Sequence, residues 1–162
     1  MDRIAVTPAG AKKLEQELKH LKTVERTAII EAIAEARGHG DLSENAEYSA
    51  AKEKQSFIEG RIAELENKVA RLEIIDPTKI KASKTQFGAT LTVIDVETDK
   101  QHTYSLVGPD EADIDQGLIS VTSPLGRALM GKEEGDEVNF VAPGGKRTYE
   151  VVKFEYKEII IK

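Results

Sequence analysis

Three features of this 162-residue sequence predict an α+β fold in two parts. Before residue 76, apolar residues recur at helical spacing through two long stretches, and the second settles into a heptad seam. Between the stretches lies a glycine-bearing acidic turn, Gly38-His39-Gly40-Asp41-Leu42-Ser43-Glu44-Asn45-Ala46-Glu47-Tyr48. After residue 86 the apolar period drops to two, the mark of half-buried strands. The expected architecture is a long antiparallel helical hairpin of coiled-coil character, followed by a small, mostly antiparallel β domain with one short helix. Its expected divisions are a hairpin with an acidic tip over 1–76, a linker over 77–86 and the β domain over 87–162.

The first helix opens at Thr7-Pro8, with Thr7 as N-cap and Pro8 at the first helical position, where a missing N–H costs nothing. Leu14, Leu18 and Leu21 follow at helical spacing, then Ile29, Ile33 and Ala36. Their register slips around Val24–Thr27, which predicts a bend or short break. Gly38 and Gly40 end this arm. In the second arm Ile58, Ile62, Leu65, Val69 and Leu72 alternate four and three apart. Pairing the arms antiparallel covers both stripes. Pro77 disfavours helical geometry at Asp76 and closes the second helix near Ile74-Ile75.

Beyond the polar stretch Thr78–Gln86, strands are expected at Phe87–Val93, Thr103–Val107 and Leu118–Val121. Ser123-Pro124-Leu125-Gly126-Arg127-Ala128-Leu129-Met130-Gly131 has an N-cap Ser, a first-position Pro and a Gly stop, the signature of a short helix. A hairpin turning at Pro143-Gly144-Gly145 pairs Val138–Ala142 with a strand from Thr148 to about Tyr156.

Composition narrows the function. A net charge of -6 and a pI near 5.2 argue against broad, sequence-independent binding to a nucleic-acid backbone. The absence of Cys removes disulfides, thiolate metal sites and a Cys nucleophile. Met1–Val6 lacks a signal-peptide apolar core, and no apolar run approaches the ~20 residues that span a bilayer. A soluble cytoplasmic protein is expected.

Each arm runs for roughly 30 residues, about 45 Å at helical rise, with little core of its own. Such a hairpin makes sense as a carrier of its tip, and the tip holds two carboxylates, Asp41 and Glu44. Set three apart at a helix start, they can share one face, and the macrodipole eases their mutual repulsion. Carboxylate oxygens suit Mg²⁺, but two of them leave a coordination shell that another molecule must complete. Asp41-x-x-Glu44 also has the shape of a capping box, which needs no function to explain it. Behind the tip, Arg37, Lys52 and Lys54 offer cations to a phosphate chain, or simply ordinary ion pairs on a solvated surface. His39 is a proton-shuttle candidate or a polar turn residue. The acidic loop Asp110, Glu111, Asp113 and Asp115 lacks the ligand order of a calcium loop and reads as a solvated or protein-contacting surface.

The run from Glu31 to Arg37, the segment GHGDLSENAEY, Ala50-Ala51-Lys52-Glu53, DEAD at 110–113, ISVTSP at 119–124 and GKEEGDEV at 131–138 together resemble the bacterial Gre transcript-cleavage factors. The resemblance covers nearly the whole chain. It implies an N-terminal coiled coil that enters the secondary channel of bacterial RNA polymerase and a C-terminal domain with an FKBP-like fold that docks at the channel rim. Asp41 and Glu44 match the family's functional acidic pair, which helps to hold a second Mg²⁺ jointly with the polymerase. In a backtracked complex the polymerase then hydrolyses its own nascent RNA at the 3′ end. On this footing the chain is not itself an enzyme. Arg37 and Lys52 are expected to face the RNA, and Asp110, Glu111, Ser123 and Pro124 to face the polymerase. The free protein is expected to be a monomer with no membrane partner. Ser43, Lys54 and the Ile159–Ile161 tail match no functional position.

Two other classes compete. A channel-binding inhibitor on the same scaffold would bind without cleavage, which the intact acidic pair disfavours. An FKBP-like prolyl isomerase or chaperone would need an aromatic-rich pocket, whereas Phe87, Tyr104, Phe140, Tyr149, Phe154 and Tyr156 fall mostly on expected strands and read as core. A coiled-coil adaptor without chemistry is a further alternative, favoured if no Mg²⁺-dependent cleavage is seen with polymerase.

Overall fold

A computed structural model describes residues 2–40 and 45–162. Thr7 caps the first helix as expected: its Oγ1 accepts from Gly10 N at 3.1 Å, and α1 spans Pro8–His20. The expected slip is a π turn at Leu21–Glu25, followed by α2 at Arg26–Arg37. Leu21 and Ile29 are eight residues apart, about 80° out of phase on an ideal helix of 100° per residue. A π turn takes up one extra residue and brings them within about 20° of each other. Both are buried. Thr23 and Thr27 donate their hydroxyls to the carbonyls four residues back, Lys19 and Thr23.

Helix α3 runs Ala46–Ala70, about 37 Å at 1.5 Å per residue. Ile58, Ile62 and Leu65 of its seam are buried, Leu65 completely. Arg26 grips Glu59 through two hydrogen bonds of 2.8 and 2.7 Å, and Arg61 grips Glu17. These pairs, the first exposed and the second partly buried, tie one arm to the other. The hairpin unit, by packing, is Lys12–Arg71.

The helix ends earlier than Pro77 suggests. Leu72–Ile74 leave the seam as strand β2, paired in parallel with β1 at Ile4–Val6. Strand pairing with a segment near the N-terminus wins over the last step of the heptad. Asp76 instead caps a 3₁₀ turn at Pro77–Lys79 through Thr78 N. Residues Asp2–Ala11 pack with Leu72–Lys162 as the second unit. The segment read as a linker is packed within it. Thr85 is buried, donates to Leu129 O and accepts from Lys132 N, and Tyr156 Oη accepts from Gln86 N.

In this second unit β3 (Thr90–Asp95), β4 (Gln101–Val107), β5 (Leu118–Ser120), β6 (Glu137–Ala142) and β7 (Gly145–Glu155) form one sheet in the order β5-β4-β3-β7-β6. All neighbours are antiparallel except β4 and β5. The strand expected from Phe87 starts at Thr90, because Gly88 turns the chain at φ +92°. Helix α4 (Pro124–Leu129), capped by Ser123 Oγ, touches both β5 and β6, the two edge strands. The sheet therefore curls around it. Leu91, Val93, Leu106, Ile119, Leu129, Val138 and Val151 form the core. The C-terminal tail makes no strand. Ile159 is buried against Val107 and Leu118, and Lys162 exchanges hydrogen bonds with the Gln116 side chain.

Candidate functional site

Two regions carry the expected functional residues, one in each unit. At the hairpin end, Asp41 and Glu44, with the capping box drawn on them, lie outside the described residues. The flanks are described. Arg37 closes α2, Gly38 follows as its C-cap, and α3 is capped by Asn45, whose Oδ1 accepts from Tyr48 N at 3.1 Å. His39 Nδ1 lies 3.0 Å from Glu47 Oε2, so His39 is paired across the tip. Arg37 and Lys52, far apart in sequence, line one groove of about 360 Å³ with Ile30, Ile33, Ala34 and Gln55. Lys52 Nζ donates to Gln55 Oε1 at 3.3 Å. Lys54 faces a different groove, beside His20 and Val24. The fold thus brings together the two cations expected to meet RNA and separates off the third. Among the described residues no group of three His, Asp or Glu is placed to hold a metal ion.

In the second unit a cavity of about 1000 Å³ opens beside the curled sheet. Ser123 and Pro124 line it, as does Asp113 of the acidic loop. Asp110 is exposed beside it in sequence. Glu111 is a correction. Expected at a partner surface, it is 6 % exposed, and its carboxylate accepts from Thr7 N, Thr7 Oγ1 and Gly108 N. Burial pushes its carboxyl above the ordinary value, against the hydrogen bonds from Thr7 and Gly108. It serves as an internal anchor for the chain entering α1.

Sequence reasoning also missed the aromatic wall of this cavity. His102 stacks on Tyr104 at 5.6 Å, Tyr104 faces Tyr149 at 6.3 Å, and Phe140 meets Tyr149 edge-on at 4.8 Å. Burial and the neighbouring Tyr149 hydroxyl raise the Tyr104 phenol well above its usual range. The available signal was His102 and Tyr104 two apart on one strand, which places both on one face. Asp95, also lining the cavity, is buried and held below the usual carboxylate range, first by Glu97 N–H and then by Thr98 N–H and the Arg147 charge. Ile114 and Val141 stand at the cavity largely exposed, at 63 % and 65 %. An aromatic-walled cavity with exposed aliphatics at its edge is a surface suited to an apolar protein anchor.

The helical hairpin and the small curled sheet, each packed as its own unit, are matched separately by two family models. The model for the N-terminal domain of transcription elongation factors matches residues 4–74, and that for the C-terminal domain of GreA/GreB transcription elongation factors matches 80–156. The chain belongs to the GreA/GreB family of transcription elongation factors. It is 62 % identical over 157 residues to transcription elongation factor GreA of Hyphomonas neptunium, covering 97 % of this chain and 100 % of that one. GreA of Alkalilimnicola ehrlichii is 57 % identical over 157 residues, covering 96 % and 99 %. Among solved structures, GreA factor homolog 1 of Thermus thermophilus is 27 % identical, covers 94 % of this chain and 99 % of that one, and has a TM-score of 0.43.

Proposed function

We propose that this protein binds bacterial RNA polymerase through the cavity-bearing second unit and inserts its hairpin into the polymerase secondary channel. There it supplies Asp41 and Glu44 to a backtracked complex, the polymerase cleaves the nascent RNA near its 3′ end, and elongation resumes. The protein is a stimulating factor and not an enzyme by itself, and it acts as a monomer in the cytoplasm. No helix among the described residues is long and apolar enough to cross a membrane.

The observation that carries this reading is that α2 and α3 are joined by residues 38–45, a connection that contains both acidic residues. Two carboxylates supply only part of a metal's coordination shell, so chemistry there would be completed by a partner's site. The donor set suits Mg²⁺, a hard cation that takes oxygen ligands and usually binds through one or two carboxylates while keeping other positions for water or phosphate. Asp41 and Glu44 would hold such an ion jointly with the polymerase, and when bound it would lower the pKa of a water and neutralise phosphoryl charge. Arg37 and Lys52, sharing one groove, orient the RNA phosphates behind the tip.

The test uses Asp41→Asn and Glu44→Gln, singly and together. The observed cap of α3 is Asn45, which neither change replaces. Each variant is expected to compete with the unaltered protein for polymerase and to stimulate cleavage at least about tenfold more slowly, with raised Mg²⁺ restoring part of the rate. Undiminished cleavage by the double variant, with binding intact, would sink the metal role. Cleavage of RNA by the factor and Mg²⁺ without polymerase would overturn its standing as a non-enzyme.

A further inference from the structure

Every helix end leaves backbone groups without intrahelical partners, carbonyls at the C-terminus and N–H groups at the N-terminus. At the hairpin end one side chain answers both. Asn45 Oδ1 accepts from Tyr48 N in the first turn of α3, while Asn45 Nδ2 donates to Ala36 O in the last turn of α2, at 2.7 Å. Ala36 O also accepts from His39 N at 3.1 Å, so both of its lone pairs are engaged. The carboxamide is partly buried and spans from the outgoing helix to the incoming one. A second, exposed tie runs beside it, His39 Nδ1 to Glu47 Oε2.

We propose that Asn45 is a positioning residue for transcript cleavage: its carboxamide braces the C-terminal end of α2 against the N-terminal end of α3 and so holds the two stems that carry Asp41 and Glu44. This rests on the function proposed above. The chemistry calls for an amide in particular. Asp and Ser cap helices about as well as Asn, since capping needs only an acceptor. An ionised Asp has no donor at all, and a Ser hydroxyl lacks the reach of a carboxamide that donates from one atom and accepts on another. The capping role and the bracing role are therefore separable by substitution.

Full-length Asn45→Asp and Asn45→Ser are compared with the unaltered protein on a backtracked polymerase complex. Asp adds a negative charge near the acidic pair, and Ser controls for it. Both variants are expected to keep the melting temperature and the concentration for half-maximal binding. The cleavage rate at saturating factor should fall by about 10- to 100-fold, the order that a misplacement of about 1 Å costs. In the free protein, amide hydrogen exchange at Gly38–Gly40 should quicken while the Tyr48 amide stays protected. Saturating rates equal to that of the unaltered protein in both variants would overturn the brace, as would losses of rate, binding and melting temperature in parallel. A fall in the Asp variant alone would assign the effect to charge and overturn it too. If the unaltered chain stimulates no cleavage, the proposed function fails. The brace itself is then decided by the exchange data, and unchanged exchange at Gly38–Gly40 refutes it.

Discussion

Thr7 does two jobs with one hydroxyl. Its Oγ1 accepts from Gly10 N as the cap of α1 and donates to the buried Glu111 carboxylate, while its backbone N–H points at the same carboxylate. Gly10 belongs to the arrangement, because a Cβ there would fall on the Glu111 carboxylate. Thr7→Val removes cap and donor together and should cost about 1–3 kcal/mol by chemical denaturation, whereas Thr7→Ser should cost far less. Glu111 also makes stability depend on pH. Its folded-state value is raised by burial above the ordinary 4.5, so over that window the folded chain holds a proton that the unfolded chain has released. The contribution is fully present below pH 4.5 and is lost as pH rises through the folded value. Glu111→Gln, which cannot ionise, should flatten that part of a stability–pH curve. An unchanged slope would show that the group does not titrate as argued.

At the scale of elements, the π turn lets one helix present two stripes to one partner. Leu14 before it, Leu21 at its start and Ile29, Ile33 and Ala36 after it are all buried, although their spacing breaks an ideal helical register. The slip was legible in the sequence, but its form was not, since only packing against α3 rewards the extra residue. Leu65 lies at the centre of the second seam with no exposed surface. Leu65→Ala should destabilise the hairpin by about 2–5 kcal/mol, toward the lower end because a two-helix layer can close on a cavity. Thermal melting followed by circular dichroism checks it, and an unchanged melt would argue against a packed hairpin. Helix α4 depends on close approach instead. A Cβ on Gly126 would meet the Ser120 carbonyl, a backbone atom that cannot swing aside.

At the scale of the whole molecule, the chain returns to its own beginning. β1 pairs with β2 in the register Ile4↔Leu72, and Val6 O accepts from Ile75 N at 2.8 Å. A chain beginning at residue 80 would lack this strand pair and both Thr7 donors to Glu111. It should unfold at lower denaturant concentration than the second unit of the full-length protein, and equal midpoints would refute the anchoring role. Docking is best tested in the full chain. Ile114 is an exposed aliphatic beside the aromatic wall, so Ile114→Glu should leave the fold intact. It should weaken competition for polymerase by about tenfold, or 1.4 kcal/mol. Full binding by this variant would place the docking surface elsewhere.

The sequence by itself determined the fold class, both helical arms, the caps at Thr7 and Ser123, the β6–β7 hairpin and the acidic pair as the candidate for chemistry. These are properties of local periodicity, of Pro and Gly geometry and of side chains bonding to backbone within a few residues. Tertiary structure decided what depends on distant partners. Leu72 reads as the next heptad position, yet pairs as a strand with Ile4. Glu111 reads as one more surface acid, yet is buried by hydrogen bonds from Thr7, 104 residues away. Tyr104, Phe140 and Tyr149 read as core and do pack in or against it, but that they also wall a cavity follows from the sheet curling around α4. Charge and hydrophobicity are written at each position, but which surface they face is set by what the chain folds against them.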